Sequence, residues 1–229
     1  MFKRLVTAGA LAALAVSPAL AQEAEAPAAP KVYEKVNFNA QEDPENILLL
    51  DLSNGQRVGI RLMSDWAPSH VERVKTLTRQ GFYDGVIFHR VIDGFMAQTG
   101  DPTGTGQGGS TLPDLEEEFN PLPHLRGTVS MARAQSEDSA NSQFFIVFYP
   151  RFSLDNKYTN FGRVISNMAA VDTIQRGEPP QNPTRILQAS IAADNKPQIT
   201  TPPPAPVSEE EAPSFDGISV DDLNAPLSE

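Results

Sequence analysis

Between Pro44 and Asp194 the chain breaks into short β-type runs, which a helical bundle could not accommodate. "NILLLDL" and "QRVGIRL" are separated by a turn containing Asn54-Gly55, a hairpin signal because Asn and Gly tolerate the positive φ of a type I′ turn. The runs "VIFHRVI", "FMAQTG", "GTVSMA", "QFFIVF", "TNFGRVI" and "RILQASIAA" follow, divided by glycine-, proline- and asparagine-bearing segments. Two helices interrupt them. In "APSHVERVKTLTRQG", Val71, Val74, Leu77 and Thr78 share one face, Pro68 suits the first turn, and Gly81 suits the C-terminal cap. "NMAAVDTIQRG" is a second, shorter helix, closed by Gly177. About eight strands and two helices give a mainly β fold: a closed eight-stranded antiparallel barrel capped by two α-helices, with a two-sheet sandwich as the alternative.

The flanks have another character. Lys3 and Arg4 precede an apolar run from Leu5 to Val16 and then Ala19-Leu20-Ala21, the pattern of a secretory signal cut before Gln22. The apolar run is short of the ~20 residues a membrane span needs. Residues 22–43 are rich in Ala, Pro and Glu and read as a disordered linker; residues 195–229 read as a disordered, acidic, proline-rich tail. The chain therefore divides into 1–21 signal, 22–43 linker, 44–194 folded domain and 195–229 tail, and a periplasmic location is expected. There is no cysteine, so stability must come from the core without disulfides. Loss of Lys3 and Arg4 takes the 18 basic residues to 16 against 29 acidic ones, a net charge of −13, which argues against a polyanionic partner such as DNA.

Several motifs point nowhere. "GTGQGG", Gly104 to Gly109, matches a dinucleotide fingerprint, but "STLPDLEEEFNPLP" follows it instead of a helix whose N-terminus could receive a pyrophosphate. His70, His89 and His124 show no metal-ligand spacing and no cysteine joins them, so neither a metal nor a cofactor is expected. No G-x-S-x-G elbow is present. "EEEF", Glu116 to Phe119, reads as a solvated face or loop.

One stretch resists a bland reading. "GVIFHRVIDGFMAQTGD", residues 85 to 101, carries Arg90 in an apolar run, with Phe95, Met96 and Gln98 close behind. Arg90 could simply point to solvent or pair with a carboxylate. Gln beside Phe recurs in Gln143-Phe144-Phe145, and period-two alternation puts Gln143 and Phe145 on one side of a strand, as it does Met96 and Gln98.

"FHRVIDGFMAQTGD", "GTVSMARA", "NSQFFIVF" and "LDNKYTNFGRVI", in this order, resemble the core signature of the cyclophilin-type peptidyl-prolyl cis/trans isomerases, and with the signal sequence the chain is similar to exported bacterial members. The resemblance spans Glu45 to about Asp194. It implies a catalytic role for Arg90, a proline pocket of Phe95, Met96, Phe145 and Leu154, and peptide contacts from Gln98, Gly106, Ala132, Arg133, Ala134, Gln143 and Tyr158. It implies proline-containing unfolded polypeptides as partners, no cofactor, and a monomer. Tyr158 stands where eukaryotic members have histidine, Ser153 (beside Phe152) where drug-sensitive members have tryptophan, Arg133 where they have asparagine, and Asp93 where proline is common. The first two departures imply weak cyclosporin binding.

Overall fold

The computed structural model describes residues 33–201. The expected signal segment, residues 22–32 of the linker and residues 202–229 of the tail lie outside the described residues. Eight strands are present: β1 Ile47–Leu52, β2 Arg57–Leu62, β3 Arg90–Ile92, β4 Met96–Thr99, β5 Thr128–Met131, β6 Phe144–Val147, β7 Asn160–Ser166 and β8 Ile186–Ile191. They form one antiparallel sheet in the order β3-β4-β6-β5-β7-β2-β1-β8. The helices are α1 Pro68–Arg79 and α2 Met168–Asp172.

The sheet curls into a half-barrel that stays open, which corrects the expectation of a closed barrel. Its ends, β3 and β8, do not pair with each other; the loop before β3 meets the start of β8 and the residues before it through an isolated bridge Ile87↔Arg185 and three backbone bonds, Gly85 N–H to Ile186 O at 2.7 Å, Ile186 N–H to Val86 O at 2.9 Å and Phe88 N–H to Thr184 O at 2.9 Å. The segment that would have to continue the ladder is "EPPQNP", where Pro179, Pro180 and Pro183 have no N–H to donate. The β1–β2 turn also departs from expectation. Gly55 has φ +80°, but Asn54 is not in the positive-φ region that a type I′ turn requires at both central positions. The Leu52 N–H donates to Gln56 O at 2.8 Å across a three-residue loop, with Gly55 alone in the left-handed conformation.

Alternation sorts the strands into two faces. On the concave face Leu48, Leu50, Val58, Ile60, Leu62, Ala97, Val129, Phe144, Ile146 and Phe161 pack with Phe88 and the buried face of α1, where Val71, Val74 and Leu77 join the core as expected. Burying such side chains is worth roughly 1.5–3 kcal/mol each, the main drive for the curl. α1 starts at Pro68 and is followed by Gly81 at φ +71°. Its N-terminus has no side-chain cap of its own; the N–H groups of Ser69 and His70 donate to the Glu118 carboxylate, each at 3.1 Å, and His70 Nδ1 lies 2.7 Å from it. Glu118 is thus a helix cap rather than part of a solvated face.

α2 ends at Asp172, short of Gly177. Gly177 does not cap it but exchanges two backbone bonds with Val91, at 2.8 and 2.9 Å, laying the following residues along the free edge of β3. Two flanks assigned to linker and tail contribute contacts. Tyr33 stacks on Trp66 with centroids 4.2 Å apart, and Trp66 Nε1 donates to Glu34 O at 3.0 Å. At the other end the Ile199 N–H donates to Asp51 at 2.8 Å. No described helix is long and apolar enough to cross a membrane.

Candidate active site

The convex face of the β3-β4-β6-β5 corner carries the candidate residues. Cross-strand pairing aligns Arg90, Gln98, Phe145 and Ser130 in one row, each directly opposite the next. The adjacent row, two residues along, is Ile92, Met96 and Val147. Paired residues share a face, so these rows make a second, smaller apolar cluster: Met96, Phe145 and Val147, packed by Ile92, Phe95, Ala132, Leu154 and Tyr158. Phe145 meets Tyr158 edge-on with centroids 5.7 Å apart, and the Arg151 guanidinium sits 4.7 Å above the Phe95 ring.

A cavity of about 220 Å³ opens over this cluster, lined by Arg90, Phe95, Met96, Gln98, Ala132, Arg133, Phe145, Leu154 and Tyr158. It adjoins one of about 500 Å³ that takes in Gly106, Ala134 and Gln143 and shares Gln98, Ala132 and Arg133. The twelve residues singled out from the sequence therefore all face two neighbouring depressions, although they come from three strands and four connecting segments.

Polar groups connect them in a directed chain. Arg90 Nη1 donates to Gln98 Oε1 at 3.4 Å, Gln98 Nε2 to Gln143 Oε1 at 2.8 Å, and Gln143 Nε2 to the carbonyls of Gly106 and Gly108 at 3.1 and 2.8 Å. Both amides are thereby fixed in orientation. On its other side Arg90 Nε donates to the Glu178 carboxylate at 2.8 Å. The solvent-or-carboxylate reading of Arg90 is thus met together with the pocket reading: the guanidinium bridges a rim carboxylate and the cavity. Nothing in the sequence around Glu178 signalled this; it follows from the Gly177–Val91 pairing.

The loop of Gly104 to Gly109 is built on Asp101. Burial pushes that carboxyl up, but hydrogen bonds outweigh it, from the hydroxyl and N–H of Thr103 at 2.7 Å each and the Gly106 N–H at 2.6 Å, and hold it down at about 2. Gly106 has φ +83°, and a Cβ on Gly108 would collide with the Asp101 carboxylate and approach Thr103 at 2.8 Å. The glycines serve this turn. His89 lies behind it, buried, with neither ring nitrogen hydrogen-bonded among the described residues, and burial lowers its pKa.

A second constellation escaped sequence reading. Ser130 Oγ lies 2.9 Å from His124 Nε2, and His124 Nδ1 lies 2.8 Å from Asp155 Oδ1. This is the connectivity of a nucleophilic triad, but Ser130 is 0% and His124 1% exposed, so no substrate reaches the hydroxyl. Its effect is structural. Asp155 also accepts from the His124 N–H at 2.8 Å, and the Arg151 N–H donates to His124 O at 2.8 Å. These bonds clamp the 3-10 turn Phe152–Leu154, which carries Leu154 into the cavity. Among the described residues no group of three or more His, Asp or Glu is arranged to hold a metal ion.

Comparison with known proteins identifies the family. Residues 48–191 match the family model "Cyclophilin type peptidyl-prolyl cis-trans isomerase/CLD". A Brucella suis protein, "Probable peptidyl-prolyl cis-trans isomerase", is 48% identical over 170 residues, covering 67% of this chain and 86% of the relative. "Peptidyl-prolyl cis-trans isomerase B" of Bacillus subtilis is 41% identical over 128 residues, covering 56% and 89%. Among solved structures, cyclophilin AquaCyp293 from Hirschia baltica superposes with a TM-score of 0.61 at 26% identity, covering 72% of this chain and 83% of that one. A Cryptosporidium parvum cyclophilin-type isomerase solved in the presence of the dipeptide Ala-Pro gives 0.59 at 28% identity, covering 63% and 98%. The chain belongs to the cyclophilin-type peptidyl-prolyl cis-trans isomerases and is an enzyme of that class.

Proposed function

We propose that the chain accelerates rotation about X–Pro bonds by transition-state stabilisation from Arg90, acting on exported polypeptides as they fold in the periplasm. One observation carries the mechanism: the cavity in which a guanidinium meets Phe95, Met96, Phe145 and Leu154. Amide resonance sets the rotation barrier at ~18–20 kcal/mol. As the bond twists, the proline nitrogen becomes pyramidal and regains a lone pair. Arg90 donates to that lone pair, an interaction the planar ground state cannot make, and only such differential contacts raise kcat. Its Nη2 group, uncommitted among the described residues, is the donor available for this.

The proline ring sits on Met96 and Phe145 between Phe95 and Leu154. Gln98 and Gln143 hold Arg90 and the peptide; Ala132, Arg133, Ala134, Gly106 and Tyr158 line the path of the flanking residues. A charge-assisted hydrogen bond is worth ~1.5–3 kcal/mol, or about one to two decades of rate. The remainder of any larger acceleration comes from excluding water and from holding the bond part-twisted. The reaction needs no nucleophile, metal or cofactor, and the protein acts as a monomer. Export rests on Lys3, Arg4 and the apolar run from Leu5, with cleavage after Ala21 checked by mass spectrometry of the secreted protein.

A protease-coupled assay on an Ala-Pro peptide, with wild type and Arg90→Ala side by side, tests the mechanism. Loss of about ten- to a hundredfold in kcat/KM with unchanged folding is expected. Near wild-type turnover in Arg90→Ala would refute the role given to Arg90. A folded wild type without turnover would instead make the pocket a proline-peptide binder or holdase surface.

A further inference from the structure

We infer that Arg133 is a specificity-determining residue that selects substrates with an acidic side chain close to the proline. The inference rests on the proposed peptide site around Arg90. Arg133 lines the proline cavity, the depression beside it, and a third hollow of about 660 Å³ bounded by His89, Arg90, Gly104 to Gln107, Glu178 and Pro179. Both hollows beside the proline cavity thus share this side chain with it.

Its charge is held in place and lacks an anionic partner. Nε and Nη2 donate to Lys157 O at 3.2 and 3.1 Å, and Nη1 donates to Ala134 O and Gln135 O, each at 3.1 Å. The guanidinium carbon lies 4.9 Å from the centre of the Tyr158 ring. Four bonds to neutral carbonyls leave one N–H of Nη2 free, and no carboxylate of the described residues forms an ion pair with Arg133. An arginine already ordered by carbonyls and an aromatic face loses little freedom when it receives a carboxylate.

The other charges around the third hollow decide the sign. Arg90 is balanced by Glu178 at 2.8 Å. His89 is kept neutral by burial. Asp101 stays ionised beneath the loop, its oxygens bonded to Thr103 and Gly106, but it does not line the hollow, whose charged lining is Arg90, Glu178 and Arg133. Arg133 therefore leaves this hollow net positive in a protein that is otherwise strongly acidic. The depression on the other side is different, because Asp114 on its wall offsets Arg133. Acidic preference is accordingly expected for the flanking side chain that enters the hollow beside Arg90 and Glu178.

The test compares isomerisation of peptides bearing Glu, Gln or Lys beside the proline, each position in turn, in a protease-free assay at ionic strengths of about 0.01 M and 1 M. Glu against Gln isolates charge at constant shape. An exposed charge pair gives at most about a fivefold advantage to Glu, with a matching loss for Lys, fading at high salt. A static charge attracts ground state and transition state alike, so the advantage falls in KM with kcat unchanged, unlike the effect of Arg90→Ala. Arg133→Gln should bring the Glu-to-Gln ratio to about one, Arg133→Lys should retain part of it, and Glu178→Gln should raise it. The ratio is internal to each variant, so a general loss of activity does not obscure it. A wild-type ratio of one at low salt, or a ratio unmoved by Arg133→Gln, overturns the inference while leaving the isomerase mechanism intact. Full turnover in Arg90→Ala removes the site reading and this inference with it.

Discussion

Replacing Asp155 with alanine should damage the active site from behind. Asp155 Oδ1 accepts from both the backbone N–H and Nδ1 of His124, each at 2.8 Å, and His124 is 1% exposed. The substitution strands two donors, one of them on a buried ring, for a cost of about 2–3 kcal/mol. In a domain of this size that lowers the Tm by about 4–12 °C. Leu154, one residue before Asp155, loses its frame as well. Uncovering one or two methylene equivalents of the bound proline weakens binding about four- to fifteenfold, seen as a rise in KM with kcat changing less. Asp155→Asn keeps an acceptor oxygen and should cost under about 1 kcal/mol. Calorimetry and a full kinetic analysis of the two variants form the test. If Asp155→Ala melts at the wild-type temperature with an unchanged KM, the clamp is not what places Leu154. Ser130, buried at the other end of this chain, should remain unlabelled by an active-site-directed fluorophosphonate; labelling would mean that the triad opens to solvent.

Three further outcomes follow from the same geometry. Phe145→Ala should weaken the affinity for a proline peptide, measured by titration calorimetry, while leaving most of the fold; an unchanged affinity would misplace the pocket. Gly100→Ala puts a Cβ against Ser142 O and 2.8 Å from the Gln143 Cα at φ +88°, so a loss of about 1–3 kcal/mol from the backbone alone and a shifted Gln143 are expected from urea unfolding and activity together. His89 and His124 are held neutral mainly by burial, which lowers both pKa values, so the unfolded chain binds protons more readily. Stability should be fully present above about pH 6.5 and fall as the pH drops through the lower folded values; a flat unfolding midpoint between about pH 7 and 5 would contradict this.

What could be read from the sequence was whatever repeats locally. The strand runs, the apolar face Val71-Val74-Leu77 and Pro68 at the start of α1 depend on periodicity and backbone chemistry within a few residues. The candidate site was legible through the family resemblance, carried by four short segments that hold eleven of its twelve residues; Gly106 lies outside them, in the glycine loop. Features set by distant pairings were not. Glu118 reaches the start of α1 from nearly fifty residues away, Glu178 reaches Arg90 because Gly177 pairs with Val91, and the Ser130–His124–Asp155 clamp joins three loops and strands. Closure failed as an expectation for the same reason: it depends on whether two ends of a sheet can pair, and the prolines of the last connection remove the donors for it.

The two faces of β4 and β6 give this architecture a consequence for mutation. Phe144 and Ile146 point into the main core, while Phe145 and Val147 belong to the second cluster, where Phe145 lines the candidate cavity. Ala97 and Met96 divide in the same way on β4. β6 therefore places core residues at even positions and residues of the second cluster at odd ones, and β4 the reverse, without a separate scaffold beneath the candidate site. Truncating Phe144, which is 0% exposed and contacts Tyr83 and Phe161 edge-on, should cost about 3–5 kcal/mol and unfold a large fraction of the protein. The same change one residue later should mainly cost affinity. A one-residue slip of β6 would exchange the two sets, putting Gln143 in the core and Phe144 in the groove. A polar pin adds to this patterning: Gln143 is tied to the carbonyls of Gly106 and Gly108 and to Gln98. The amide chain that orients Arg90 thus also keeps the aromatic residues of β6 on their proper faces.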